Sequence, residues 1–162
     1  MQLTFRKLTQ KDWEKVSEIY RDGINTGIAT FQTEVPEWSD WDKSHLEKGR
    51  IIALHNNQII GWAALTAVSD RCIYAGVAEV SLYIAKDFWG KKVGTKLLQK
   101  LIYISEKEGI WTLQAGIFTE NIASLNLHKS VGFRTVGMRE KIGKLNNQWK
   151  DLYLLERRSK IV

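Results

Sequence analysis

The stretch AEVSLYIAKDFWGKKVGTKLLQKLI, residues Ala78–Ile102, decides the fold. Ala78, Val80, Leu82 and Ile84 alternate with Glu79, Ser81 and Tyr83, the period of a strand over residues 77–85. Val93, Leu97, Leu98, Leu101, Ile102 and Ile104 then recur at helical spacing and mark the buried side of a long helix, which Gly109 closes. A short turn, Trp89-Gly90-Lys91-Lys92, joins the two. The first N–H groups of such a helix have no internal acceptors and sit at its positive dipole end, a setting that binds phosphate oxygens. Gly90 and Gly94 would let the backbone approach a pyrophosphate closely, and Lys91, Lys92 and Lys96 add charge. The spacing is neither that of a P-loop nor that of a dinucleotide fold, so an ordinary strand–turn–helix stays open on these residues alone.

Outward from this core the pattern continues. Gln2–Leu8 reads as a strand, and Thr9-x-x-Asp12 as a capping box ahead of a helix bearing Trp13, Val16, Ile19 and Tyr20, with Gly23 as its stop. Ser39–Lys48 reads as a second helix, with Ser39 as N-cap and Gly49 just past its end. Ile51–His55 and Gln58–Val68 form strands around a tight Asn56-Asn57 turn. Trp111–Ile117 is a strand, Asn121 caps a helix holding Leu125, Leu127 and Val131, and Gly132 ends it. Phe133–Lys141 and Trp149–Arg157 close the chain as a hairpin through Leu145-Asn146-Asn147. The order β-α-α-β-β-β-α-β-α-β-β describes an α/β (α+β layered) domain, a mixed, mostly antiparallel sheet with helices on both faces.

Composition narrows the function. The 162 residues suit one domain, 1–162, and 44% are hydrophobic, as expected of a chain that buries a core. No apolar run is long enough to span a membrane, no signal peptide is visible, and the single Cys72 excludes an internal disulfide and a multi-Cys zinc site, so a cytoplasmic home is expected. The net charge of +6 permits a nucleic-acid partner, but the basic residues are scattered and form no arm, so neither nucleic acid nor membrane is expected. With seven Trp, some are expected to line a pocket or a subunit contact.

The Ala78–Ile102 stretch resembles the coenzyme A-binding motif of the GCN5-related N-acetyltransferases: Gln or Arg, two residues, Gly, one residue, then Gly or Ala. Asn121-Ile122-Ala123-Ser124, followed by Val131-Gly132-Phe133, resembles a later element of that superfamily. Nearly the whole chain is similar to phosphinothricin N-acetyltransferases and relatives acting on methionine sulfoximine-like amino acids. The matching segments are Ile28–Glu34, Glu79–Tyr83, Leu127-His128-Lys129 and Trp149-Lys150-Asp151. The loop departs from the pattern in two places. Trp89 stands where Gln or Arg is usual, and Lys92 where a Gly is; a Lys held there at positive φ would strain the loop by ~1–2 kcal/mol.

The resemblance implies acetyl-CoA as cosubstrate, no metal, and a homodimer acting on a small-molecule amine. It implies a bulged strand that splays from its neighbour, with Leu82, Tyr83 and Ile84 bracketing the thioester and a backbone N–H facing the developing oxyanion, worth ~3 kcal/mol. Gly90, Lys91, Lys92, Val93, Gly94 and Thr95 would hold the pyrophosphate, with Asn121 and Ser124 in contact with the cosubstrate; both also read as a helix cap. Glu79 would assist deprotonation as general base, although a strand Glu in a salt bridge fits the same residue. His128 stands where many members carry a proton-donating Tyr, and would relay a proton or orient substrate unless it is simply packed. Phe31, Arg71, Tyr74 and Ser81 would line the substrate cavity, with Arg71 as a carboxylate clamp or a surface loop charge. Trp149 and Asp151 would shape the pocket or a dimer contact.

The expected activity is acetyl transfer to the amino group of a small amino-acid-like substrate, by direct attack. Protein or polyamine acetylation and a non-catalytic acyl-CoA-binding domain are the alternatives; Arg71 speaks mildly against a polyamine.

Overall fold

Two asparagine pairs turn the chain back on itself. Asn56 and Asn57 adopt φ of 49° and 62°, and Asn146 and Asn147 adopt 50° and 63°. Asparagine tolerates this left-handed backbone, which a two-residue hairpin of matching twist requires. A computed structural model describes residues 1–162. Its strands are β1 (Thr4–Lys7), β2 (Ile51–His55), β3 (Gln58–Ala67), β4 (Val77–Ile84), β5 (Thr112–Phe118), β6 (Arg134–Leu145) and β7 (Gln148–Arg158). Its helices are α1 (Trp13–Asn25), α2 (Trp38–Ser44), α3 (Val93–Lys107) and α4 (Ile122–Ser130). The order is the one the periodicity predicts.

The seven strands form one sheet in the order β1-β2-β3-β4-β5-β7-β6. Every pairing is antiparallel except β4 with β5. Strand alternation feeds a core on each face. Ala63 and Leu65 of β3 join Ala78, Leu97, Leu98, Leu101 and Leu125 beneath α3 and α4. Trp62 and Ala64 join Val16, Ile19, Tyr20 and Trp41 beneath α1 and α2. Burying each such large apolar side chain stabilises by ~1.5–3 kcal/mol.

Several boundaries differ from the sequence reading, each for a tertiary reason. Gly23 does not stop α1, which runs on to Asn25. Its missing side chain makes room for an aromatic ring, since a Cβ there would lie 2.4 Å from Cδ1 of Tyr83. The second helix begins at Trp38, one residue before Ser39, and ends at Ser44, four residues before Lys48. Arg50 ends it: the guanidinium donates to the carbonyls of Asp42 (2.7 Å), His45 (2.8 Å) and Leu46 (2.6 Å) and pairs with the Asp42 carboxylate. Strand β6 continues past Lys141 to Leu145, with register shifts at Thr135/Gly137 and Arg139/Gly143. The shifts spoil the alternation that would have revealed it.

Most of the tryptophans serve packing. Trp13 and Trp38 lie 5.3 Å and 5.5 Å from Trp41, Trp41 lies 5.6 Å from Trp62, and Trp62 stacks on Tyr83 at 4.9 Å. This aromatic run fills the smaller core and ends at the strand that carries the site. Trp89 and Trp149 are the exposed ones.

Candidate active site

Strands β4 and β5 pair over three positions only, Val77, Ala78 and Glu79 with Thr112, Leu113 and Gln114. Beyond them β4 stays with β3 as far as Ile84↔Gly61, and β5 stays with β7 as far as Phe118↔Leu152. The gap between them opens into a cleft of about 1030 Å³. The splay needs no bulge, contrary to expectation: the β3–β4 register is unbroken. Ala85 N–H donates to Ile60 C=O at 2.8 Å, which fixes the phase of the ladder. Backbone alternation then turns the polar groups of Ser81 and Tyr83 toward β3, and those of Val80, Leu82 and Ile84 toward the gap. Leu82 and Ile84 thus turn their backbone polar groups into the gap, whereas the Tyr83 N–H is spent on β3. The Ile84 carbonyl accepts from the indole N–H of Trp89 at 2.7 Å.

Tyr83 contributes its side chain instead. The ring packs on Tyr20 and Trp62 at the cleft wall. Burial, and then the nearby Tyr20, push the phenol well above its ordinary value, so it stays protonated.

The N-terminus of α3 closes the other side of the gap. Its first internal bond is Lys96 N–H to Lys92 C=O at 3.2 Å. No side chain caps it and its first turn carries no acid, so the Val93, Gly94 and Thr95 N–H groups lack helical acceptors. Gly90 at φ 73° and Lys92 at φ 61° make the turn, so the position where the family pattern has glycine does demand positive φ. Gly94 permits close packing, since a Cβ there would lie 2.5 Å from Cδ1 of Leu127 on α4. Lys92 lines the cleft. Lys91 does not; its ammonium sits 5.2 Å from the centre of the Phe88 ring.

Glu79 stands at the last β4–β5 pair, exposed, and accepts from Gln114 Nε2 at 3.2 Å. The salt-bridge alternative for Glu79 is not realised. On α4, Asn121 caps the helix through Ser124 N–H (3.2 Å) and holds the Ile28 carbonyl through Nδ2 (3.2 Å), tying the loop after α1 to the cleft. His128 is buried against Phe133, and its Nδ1 lies 2.8 Å from the Ser124 carbonyl. That contact assigns the proton to Nδ1 and leaves Nε2 as the acceptor. Burial holds His128 below the usual histidine value, so it is neutral at pH 7.

Phe31 and Ser81 line the cleft, and Phe31 sits edge-on to Phe118 at 4.7 Å. Arg71 and Tyr74 do not line it. Both are exposed on the β3–β4 connection, with the guanidinium 5.5 Å from the Tyr74 ring centre. Asp151 takes the Lys141 N–H at 2.8 Å, and Trp149 is exposed beside Lys144. The sequence reading missed Thr30, Gln114, Phe118 and Arg139 at the cleft. Thr30 lies inside a matching segment; no pattern pointed to the other three. No three His, Cys, Asp or Glu side chains come together to hold a metal ion.

Residues 12–133 match the acetyltransferase (GNAT) family. A Bacillus subtilis (strain 168) protein named "Putative phosphinothricin acetyltransferase YwnH" is 32% identical, covering 96% of this chain and 98% of its own length. An "L-methionine sulfoximine/L-methionine sulfone acetyltransferase" of Pseudomonas paraeruginosa is 25% identical, over 96% of this chain and 94% of its own. The crystal structure of a GNAT superfamily phosphinothricin acetyltransferase from Sinorhizobium meliloti in complex with acetyl-CoA superposes with a TM-score of 0.88, at 26% identity over 98% of this chain and 89% of that one. The chain belongs to the GNAT family, and it is an acetyl-CoA-dependent N-acetyltransferase. The uncapped helix end and the amides left free along β4 are donors suited to a phosphate-bearing thioester.

Two outcomes follow from this geometry. Replacing Lys92 by Gly releases ~1–2 kcal/mol of left-handed strain and adds ~0.5–1 kcal/mol of unfolded-chain entropy. Urea denaturation is therefore expected to show Lys92→Gly more stable by about 0.5–1 kcal/mol; a loss of stability would mean the native backbone suits Lys. His128 is lowered in the folded state, so its contribution is present above pH 6.5 and lost as pH falls below that value. His45, also lowered by burial, has the same sign. Melting temperature should fall between pH 7.5 and 5, and less steeply in His128→Gln; equal slopes would place the imidazole in solvent.

Proposed function

We propose that this enzyme transfers the acetyl group of acetyl-CoA to the α-amino group of a small amino-acid-like substrate of the phosphinothricin or methionine sulfoximine type. The fork between β4 and β5 carries this reading. It sets backbone donors, a carboxylate and an aromatic wall around one cleft, in a chain whose similar proteins bear those substrates in their names. When bound, acetyl-CoA supplies an activated thioester. The N–H groups of Val93, Gly94 and Thr95, with the turn at Gly90–Lys92, hold the pyrophosphate. The Leu82 N–H, between the gap-facing Val80 and Ile84, stabilises the negative charge that develops on the thioester oxygen.

Glu79 takes one proton from the substrate ammonium, and Gln114 holds the carboxylate in place. The freed amine attacks the carbonyl carbon directly; the C–N bond forms, the C–S bond breaks, and a second amine proton ends on the departing sulfur. His128, neutral with Nε2 free, orients the amine as an acceptor. Phe31 and Ser81 shape the substrate pocket. Residues 1–162 act as a single domain, and no helix is long and apolar enough to cross a membrane. The same reading includes a cytoplasmic location and a homodimer. Exposed Val136 and Met138 on edge strand β6, with Trp149 of β7, supply an apolar surface for a second copy.

A thiol-release assay across amino acids, including phosphinothricin and methionine sulfoximine, tests the substrate class; release with none of them removes it. In the same assay Glu79→Gln is expected to lower kcat by ~100-fold or more while the Kd for acetyl-CoA changes little. Unchanged turnover takes Glu79 out of the mechanism.

A further inference from the structure

Three charged side chains other than the neutral His128 line the cleft: Glu79, Lys92 and Arg139. Lys92 belongs to the turn before α3, and Glu79 to the vertex of the fork. Arg139 is the one cation at the far end, and it comes from β6, two strands away from β5. The register places it there. Arg139 lies opposite Leu152 of β7, and Leu152 opposite Phe118 of β5, so all three share the face of the sheet that also carries Gln114 and Glu79. Phe31 fills the space above them. It sits 4.7 Å from Phe118, and a Cβ on Gly143 would lie 3.0 Å from its ring.

The backbone beside Arg139 is built for one arrangement. The β6–β7 register shifts between Arg139 and Gly143, Lys141 sits at φ 48°, and the Asp151 carboxylate holds the shifted segment by accepting the Lys141 N–H at 2.8 Å. Bulges re-aim side chains in this way. Arg139 is exposed and, like Arg21 and Arg71, has no carboxylate partner within 4.0 Å and no side-chain hydrogen bond, but of these three it alone lines the cleft; the guanidiniums of Arg6, Arg50, Arg134 and Arg157 are each paired with an acid.

We propose that Arg139 is the residue that binds the substrate's carboxylate, fixing the amino acid so that its α-amino group faces Glu79 and its side chain lies along Phe31 and Phe118. A guanidinium offers a planar fork that matches a carboxylate with two parallel hydrogen bonds. Asp151 is a positioning residue, acting through the bulge. This assignment rests on the amino-acid reading above and moves the clamp expected at Arg71, which stays outside the cleft, to β6.

The test compares methionine sulfone with its decarboxylated counterpart, 3-(methylsulfonyl)propylamine, in the thiol-release assay, with circular dichroism as the folding control. The wild-type enzyme should prefer the amino acid by at least ~10-fold in kcat/KM, consistent with one charge-assisted bond. In Arg139→Gln that preference should collapse to within about two-fold, through KM rather than kcat. Arg139→Lys should keep part of it, since Lys supplies charge without the fork. Wild-type preference that survives in Arg139→Gln, or that Arg71→Gln removes instead, overturns the clamp alone. A wild-type enzyme that prefers the bare amine, or acetylates neither compound, overturns the amino-acid reading and the clamp together.

Discussion

The parting of β4 from β5 after Glu79 and Gln114 is the constraint on which the rest of the structure depends. Each strand is satisfied on its outer side, β4 by seven pairs with β3 and β5 by seven pairs with β7. The inner sides are left without each other. A backbone N–H buried dry and unpaired costs ~1–3 kcal/mol, so a gap of this kind persists where water or a ligand fills it. The fold offers the same chemistry a second time at the uncapped start of α3. Two sets of free donors, one on a strand and one on a helix, thus look into one space.

The supporting parts keep that space open. Gly94 lets α3 lie against Leu127 of α4, while the Tyr83 ring is wedged between Gly23, Tyr20 and Trp62 and fixes the opposite wall. The aromatic run from Trp13 to Tyr83 couples the α1–α2 layer to β4, so the smaller core stiffens the strand that carries the donors. Asn121 ties the loop at Ile28 over the cleft while capping α4. Lys92 and Lys141 are the visible conflicts between local preference and site geometry: Lys92 falls in the turn that presents the helix end, and Lys141 in the shifted segment of β6 beside Arg139.

The element order was legible because hydrophobic period and turn chemistry agree along the chain: alternation in β4, helical spacing in α3, paired asparagines at both hairpins. Boundaries failed where a distant residue decides them. Arg50 ends α2 from outside its own pattern, Tyr83 explains Gly23, and the bulges of β6 hide its length. In the site, the α3 turn, Glu79 and His128 could be found because the motifs are local. The backbone phase along β4, which gives Leu82 and not Tyr83 a free N–H, depends on pairing with β3 and is invisible in one dimension. Arg139 reaches the cleft only through the β5–β7–β6 register, and Arg71, near in sequence to β4, does not reach it at all.

Amide hydrogen exchange with and without acetyl-CoA tests the fork most directly. The account predicts slowed exchange on binding at Leu82 and at Val93, Gly94 and Thr95, while Ser81 and Tyr83, already bonded to β3, are slow in both states. Protection confined to another part of the chain, or no change at saturating acetyl-CoA, would contradict it.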